Sequence, residues 1–226
     1  MTAKLRALGH DVISCPLMTI RFTGAPVPER DYRAVLVTSA NGARAIAAHP
    51  ARERLVRATA IAVGPASARA CGEAGFTRIE QASGDVGGVI DHVTKELLPH
   101  AGSLLYPSGE VTTGSLEEEL GALGFNVDRV VLYQAVAAEA LDDVALALLT
   151  DPADSGVLLY SPRTAKIWVD LVVKAGLAKQ AESLRYYCIS LNAARVVSGA
   201  LPRAAVSVAS TPTEEGMLAQ LAQPSA

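Results

Sequence analysis

Short apolar runs alternate along this chain with longer stretches whose apolar positions recur every three or four residues. The runs are rich in Val and Ile, and Ser, Thr, Gly or Pro bounds each of them. A continuous apolar run of this length suits a strand buried on both faces, and the stretches between suit the helices that cover it. The pattern predicts a β–α alternation folded as parallel sheet with helices on both sides.

The alternation occurs twice. VLVTSANGARAI at 35–46 matches VLLYSPRTAKIW at 157–168, an offset of 122. AIAVGPASARAC at 60–71 matches YYCISLNAARVV at 186–197, offset 126, and SGDVGGVIDHV from Ser83 matches STPTEEGMLAQL from Ser210, offset 127. Such order-preserving self-similarity marks a duplicated unit. A fourth pair, LRALGHDV at 5–12 and LGALGFNV at 120–127, has an offset of 115. In the second copy that segment follows a strand and loop, SLLYPSGEVTTG at 103–114, whose counterpart would lie before residue 1. The expectation is a first lobe short of its opening strand, either because the chain starts one strand late or because that lobe is built without one. An intact mass of the native protein tests it.

This order predicts two similar doubly wound, flavodoxin-like parallel-sheet lobes around a central cleft. One lobe is discontinuous, 1–20 plus 136–226, and the other, 28–130, is inserted in it. The crossing segments 15–27 and 130–137 are expected to pair as a two-stranded β-ladder and act as a hinge. Ligands of such folds bind outside the carboxyl ends of the strands.

Half of the residues are hydrophobic but only 4% are aromatic, so Ala, Val and Leu must fill the cores. A net charge of -3 argues against nucleic acid as a partner, because phosphate binding needs clustered Lys and Arg. An anionic ligand would have to be held by backbone N–H groups and hydroxyls. Cys15, Cys71 and Cys188 are scattered, as are His10, His49, His92 and His100, so no metal site and a reducing cytoplasm are expected. The absence of a long apolar run predicts neither a signal peptide nor a membrane span.

Candidate chemistry sits at strand-to-helix turns. Thr38-Ser39-Ala40-Asn41-Gly42 combines hydroxyls with the free N–H groups of a helix start, a seat for an anion, although the same residues would serve as a plain cap. Ser161-Pro162 is its counterpart, and Asp85 and Thr213 stand at further cap positions. Gly64 and Ser67 repeat the theme at the next turn. The loop from Gly109 to Ser115 resembles a phosphate loop but has no lysine, which leaves it suited to a carboxylate. Tyr133 lies on a crossing strand, where a phenol could act as acid or pack between strands. No nucleophile–base set is visible, so any reaction must depend mainly on positioning.

Taken in order, TSANG, AVGPASARA, LYPSG, VLYQAV, YSPRTA and ASTPTEEGML resemble the uroporphyrinogen-III synthase family across essentially the whole chain. The resemblance implies an enzyme that closes the linear tetrapyrrole hydroxymethylbilane with loss of water and inversion of the last ring. It implies no cofactor or metal and a small anionic tetrapyrrole as substrate, and a monomer is expected because the chain closes its own cleft. It puts Tyr133 where the family's tyrosine assists departure of the hydroxyl. Ser39, Ser67 and Ser161 match cleft hydroxyls, Thr211 and Thr213 match the closing turn, and Thr38, Asn41, Gly64, Ser108 and Gly109 lie in the substrate-binding turns. The family's opening strand and its Thr-Arg turn are absent, Ala193 replaces a common threonine, and Thr112 and Thr113 replace residues that are often basic. The alternative is a non-catalytic or degenerate two-lobed protein that binds tetrapyrroles or other anions.

Overall fold

The computed structural model describes residues 1–112, 114–150 and 155–221. The chain begins with α1 (Thr2–Ala7), β1 (Met18–Phe22), β2 (Tyr32–Val37), α2 (Ala40–Ala47), α3 (Arg52–Leu55) and β3 (Thr59–Ala62). It continues through α4 (Pro65–Ala74), β4 (Ile79–Gln81), α5 (Val86–Glu96), β5 (Ser103–Gly109), α6 (Leu116–Ala122) and β6 (Val127–Ala137). Next come α7 (Asp143–Thr150), β7 (Gly156–Leu159), α8 (Pro162–Lys174) and α9 (Ala178–Ala181). The last elements are β8 (Arg185–Cys188), α10 (Leu191–Ala200), β9 (Ala205–Val208) and α11 (Glu214–Leu221). Two compact units result, Met1–Thr19 with Ala137–Ala226, and Ile20–Val136.

In the second unit the sheet order is β1-β6-β5-β2-β3-β4, and β2 to β6 are paired in parallel. Successive side chains of a strand face opposite ways, and both faces of this sheet are apolar. Val35, Val37, Ala60, Ala62 and Leu105 pack with Ile46 of α2 and Cys71 of α4. Ala34, Leu36, Ile61, Leu104 and Tyr106 pack with Val89 and Val93 of α5 and Leu120 of α6. The unit is therefore doubly wound.

Its order corrects one expectation. Counted from β2, the parallel strands run 3-2-1-4-5, whereas a flavodoxin-like sheet runs 2-1-3-4-5. The reason lies in the crossovers, which are right-handed. While the chain steps outward from β2 to β4, its helices fall on one face. Laying β5 on the other side of β2 reverses the direction and sends α5 and α6 to the opposite face. The reversal leaves a crevice above β2 and β5, the switch point where ligands of such sheets bind.

The first unit carries β7-β8-β9, again parallel. Its core gathers Trp168, Leu149, Leu159, Val172, Tyr186 and Val197. Trp168 Nε1 donates to the Tyr186 hydroxyl at 3.2 Å, and that hydroxyl donates to the Ala181 carbonyl at 3.1 Å.

Backbone geometry repeats with the sequence. Gly9 and Gly124 end α1 and α6 with φ of 87° and 86°. Asp85 Oδ1 accepts from Gly88 N at 3.0 Å, and Thr213 Oγ1 accepts from Gly216 N at 3.1 Å. These equivalences put the third repeat in register at an offset of 128, one more than the letter match suggests, since helix caps rather than similar letters define the turn. After Gly124 the chain becomes β6 beside β5, but after Gly9 residues 10–17 form no strand. Among the described residues the first unit offers that segment no neighbour like β5. No helix among the described residues is long and apolar enough to cross a membrane.

Candidate active site

At the switch point of the second unit lies a depression of about 130 Å³, lined by Thr38, Ser39, Val86, Tyr106, Val111, Thr112 and Tyr133. The lining residues come from strands β5 and β6, the start of α5 and the turns that follow β2 and β5. Thr38 and Ser39 follow β2. Ser39 caps α2, its hydroxyl oxygen accepting from Asn41 N at 3.2 Å. A hydroxyl that caps in this way spends an acceptor and keeps its O–H free to donate. Val86 opens α5, Tyr106 belongs to β5, and Val111 and Thr112 lie in the loop after it. Thr38 Oγ1 donates to the Tyr106 hydroxyl at 3.4 Å, across the two strands that flank the switch point.

Tyr133 reaches the depression because β6 is irregular. Tyr106 pairs with Arg129 and Ser108 with Val131, but Gly109 then pairs with Tyr133, so β6 carries an extra residue, Leu132. An extra residue of this kind bends a strand and re-aims the side chains beyond it. Leu132 is buried in the core, while Tyr133 is half-buried with its ring against Gly109. Glu110 N donates to the Tyr133 carbonyl at 3.1 Å and holds the bulge in place.

Thr38, Ser39 and Tyr133, expected from the sequence, thus meet in one place, with Gly109 beneath the ring. Others stand elsewhere. Asn41 Oδ1 accepts from Arg44 at 3.1 Å, outside the depression. Gly64 caps α4 without a side-chain bond, and Ser67 is buried within that helix. Ser108 has no exposed surface, and its hydroxyl accepts from Arg129 Nε at 3.0 Å. It is thus closed to direct contact with a ligand in this structure. Ser161, Thr211 and Thr213 belong to the first unit, at the turns after β7 and β9. There Ser161 Oγ accepts from Thr164 N at 3.0 Å, and the hydroxyls of Thr211 and Thr213 lie 3.2 Å apart. Thr113 falls outside the described residues.

Tyr106 is the functional candidate that sequence reasoning missed. Following two leucines, it reads as core, and the residue is indeed only 4% exposed. Only its strand pairing next to β2 reveals that the hydroxyl ends at the switch point.

Among the described residues, none that lines the depression carries a charged side chain. Burial pushes the thiols of Cys71 and Cys188 up to about 11, and burial with the nearby Asp142 does the same for Cys15. All three stay protonated at neutral pH and make poor nucleophiles. Among the described residues no cluster of three His, Cys, Asp or Glu side chains could hold a metal. The arrangement can donate hydrogen bonds, exclude water from one side and offer a phenolic proton.

Fold and geometry together define a doubly wound α/β protein with a hydroxyl-lined depression at the switch point of its sheet. The chain belongs to the family of uroporphyrinogen-III synthase HemD, whose profile matches residues 1–219. It is thus a lyase of porphyrin and heme biosynthesis. Its fold is similar to the crystal structure of uroporphyrinogen-III synthetase from Helicobacter pylori 26695, with a TM-score of 0.61, 16% identity and coverage of 91% of this chain and 89% of that one. The wild-type uroporphyrinogen III synthase from the extremely thermophilic bacterium Thermus thermophilus aligns over 97% of this chain and 91% of that one, with 18% identity and a TM-score of 0.42. No curated protein matches the sequence.

Proposed function

We propose that the depression at the switch point is where this chain seats one substituted end of hydroxymethylbilane, and that Tyr133 assists loss of its hydroxyl. The observation that carries this reading is chemical: five of the seven lining residues are Thr38, Ser39, Tyr106, Thr112 and Tyr133, all hydroxyl-bearing. Acetate and propionate arms accept hydrogen bonds, and Ser39 adds the N–H groups of the eight-residue α2 beside it. At about 130 Å³ the depression is smaller than ligand pockets of roughly 300–1,000 Å³. It therefore suits part of the substrate, with the remainder held elsewhere.

In this reading the Tyr133 hydroxyl donates its proton to the departing hydroxyl oxygen. The C–O bond breaks, its electron pair leaves with water, and electrons from the pyrrole nitrogen make the terminal carbon an electrophilic azafulvene. The substituted position of the last ring then attacks that carbon to give a spiro centre. The original bond from this position to its bridging carbon breaks, leaving that carbon as a second azafulvene, and the ring's free position attacks it and loses its proton, so that the ring is inverted. Free in solution the chain closes without inversion, so the protein's contribution is orientation, worth on the order of 7–11 kcal/mol at best. The phenolate recovers its proton as the product regains aromaticity.

The rest of the reading rests on the repeated sequence. The lobes 1–20 plus 136–226 and 28–130 are joined by the crossing strands 15–27 and 130–137. Ser161, Thr211 and Thr213 of the discontinuous lobe serve the same substrate, and Asn41, Gly64 and Ser67 shape their turns. The working form is a cytoplasmic monomer. An assay with freshly prepared hydroxymethylbilane, followed by separation of product isomers, tests the proposal. Isomer III formed faster than spontaneous closure supports it. Isomer I alone at the spontaneous rate would favour a non-catalytic tetrapyrrole-binding protein instead.

A further inference from the structure

Arg129 stands on β6, outside every motif that the function absorbs, and its side chain is committed to one place. Its Nε donates to Ser108 Oγ at 3.0 Å, and its Nη2 donates to the carbonyls of Gly109 and Glu110 at 3.4 and 3.3 Å. These are three consecutive residues, spanning the point where β5 ends and the loop to Thr112 begins. They also span the register shift that turns Tyr133 against Gly109. A bulge disrupts the ladder locally and leaves strand-end carbonyls in need of donors. A planar guanidinium presents its donors in a fixed fork that can span several such acceptors, whereas an ammonium gathers its three donors on one rotatable nitrogen.

We infer that Arg129 is a positioning residue for the reaction, a clamp that sets the bulge seating Tyr133 and the path of the Glu110–Thr112 loop. The inference rests on the proposed role of Tyr133 but adds a separate claim about the loop. Ser108 has a part in it: fully buried, with its hydroxyl turned to Arg129, it anchors the clamp instead of meeting the substrate.

The test compares Arg129→Lys and Arg129→Gln in wild-type and Tyr133→Phe backgrounds. Thermal midpoints show that each variant is folded, and the lysine keeps the charge while losing the fork. Both substitutions should lower kcat about 10- to 100-fold with a smaller change in KM, as a misplaced reacting group does. In the Tyr133→Phe background the same substitutions should cost little more, because residues acting as a unit are not additive. Cleavage after Glu110 by a glutamate-specific protease, followed by mass spectrometry, should be faster in the Arg129 variants. An equal fall of kcat in both backgrounds would overturn the link to Tyr133, and wild-type kcat in the Arg129 variants would overturn the clamp. Should Tyr133→Phe itself turn over like wild type, the acid role of Tyr133 fails, and proteolysis alone decides. Faster cleavage then keeps the clamp and unchanged cleavage removes it.

Discussion

The ring of Tyr133 occupies the space that a side chain on Gly109 would need. A Cβ built on Gly109 would stand 2.9 Å from Cε2, 3.1 Å from Cζ and 3.3 Å from the hydroxyl of Tyr133. The smallest residue ends one strand so that a phenol on the next can lie over it, and the bulge at Leu132 brings the two together.

Gly109→Ala should therefore impair catalysis more than folding. The added methyl displaces the phenol by a few tenths of an ångström or more, and we expect kcat to fall at least about tenfold. Single-turnover rates and the thermal midpoint measure the two effects separately. A normal kcat would mean that the ring position is unimportant.

Tyr133→Phe keeps the ring and its packing and removes only the proton. The expected loss in kcat is about 10²-fold or less, the range of one assisted proton transfer. Unchanged turnover would assign Tyr133 to packing.

Tyr106 offers a second phenol in the same depression. Tyr106→Phe preserves the buried ring and removes the hydroxyl that accepts from Thr38. Since this group binds without a proposed chemical role, KM should rise several-fold while kcat changes little. Steady-state kinetics at several substrate concentrations separate the two. A fall in kcat like that of Tyr133→Phe would make Tyr106 the acid.

The twin caps give a stability prediction. Asp85→Ala and Thr213→Ala should each cost about 1 kcal/mol, read from urea unfolding. Gly88 and Gly216 lie in the first turns of the same helices, where Gly→Ala ordinarily stabilises. Here a Cβ on Gly88 would meet the Ser83 carbonyl, and one on Gly216 the Thr211 carbonyl. Both alanine variants should be destabilised by more than the cap variants, and a gain from either would mean that these turns yield readily.

Alkaline pH should destabilise the chain over two overlapping ranges. Burial raises the Cys71 and Cys188 thiols from 9.0 to about 11 and the Tyr186 phenol from 10.0 to about 12. Their neutral forms favour the folded state, so the contribution is complete below the ordinary values and disappears as pH rises through the folded ones. Unfolding free energy should fall from about pH 9 to 11 with the thiols and from about 10 to 12 with Tyr186. In Tyr186→Phe the second slope should flatten; an unaltered slope would exclude Tyr186 as its source.

Much of this was readable in one dimension. Repeated apolar runs and cap residues determine the α/β class, the duplication and the turns holding Ser39, Asp85, Ser161 and Thr213, because period, capping and turn preference are local properties of a chain. The order of strands, the bulge at Leu132, the burial of Ser108, the arrival of Tyr106 beside Thr38 and the grip of Arg129 on Ser108, Gly109 and Glu110 were decided by the tertiary structure. These depend on which strands become neighbours and in what register, and pairing of segments far apart in the chain leaves no periodic trace in either segment alone.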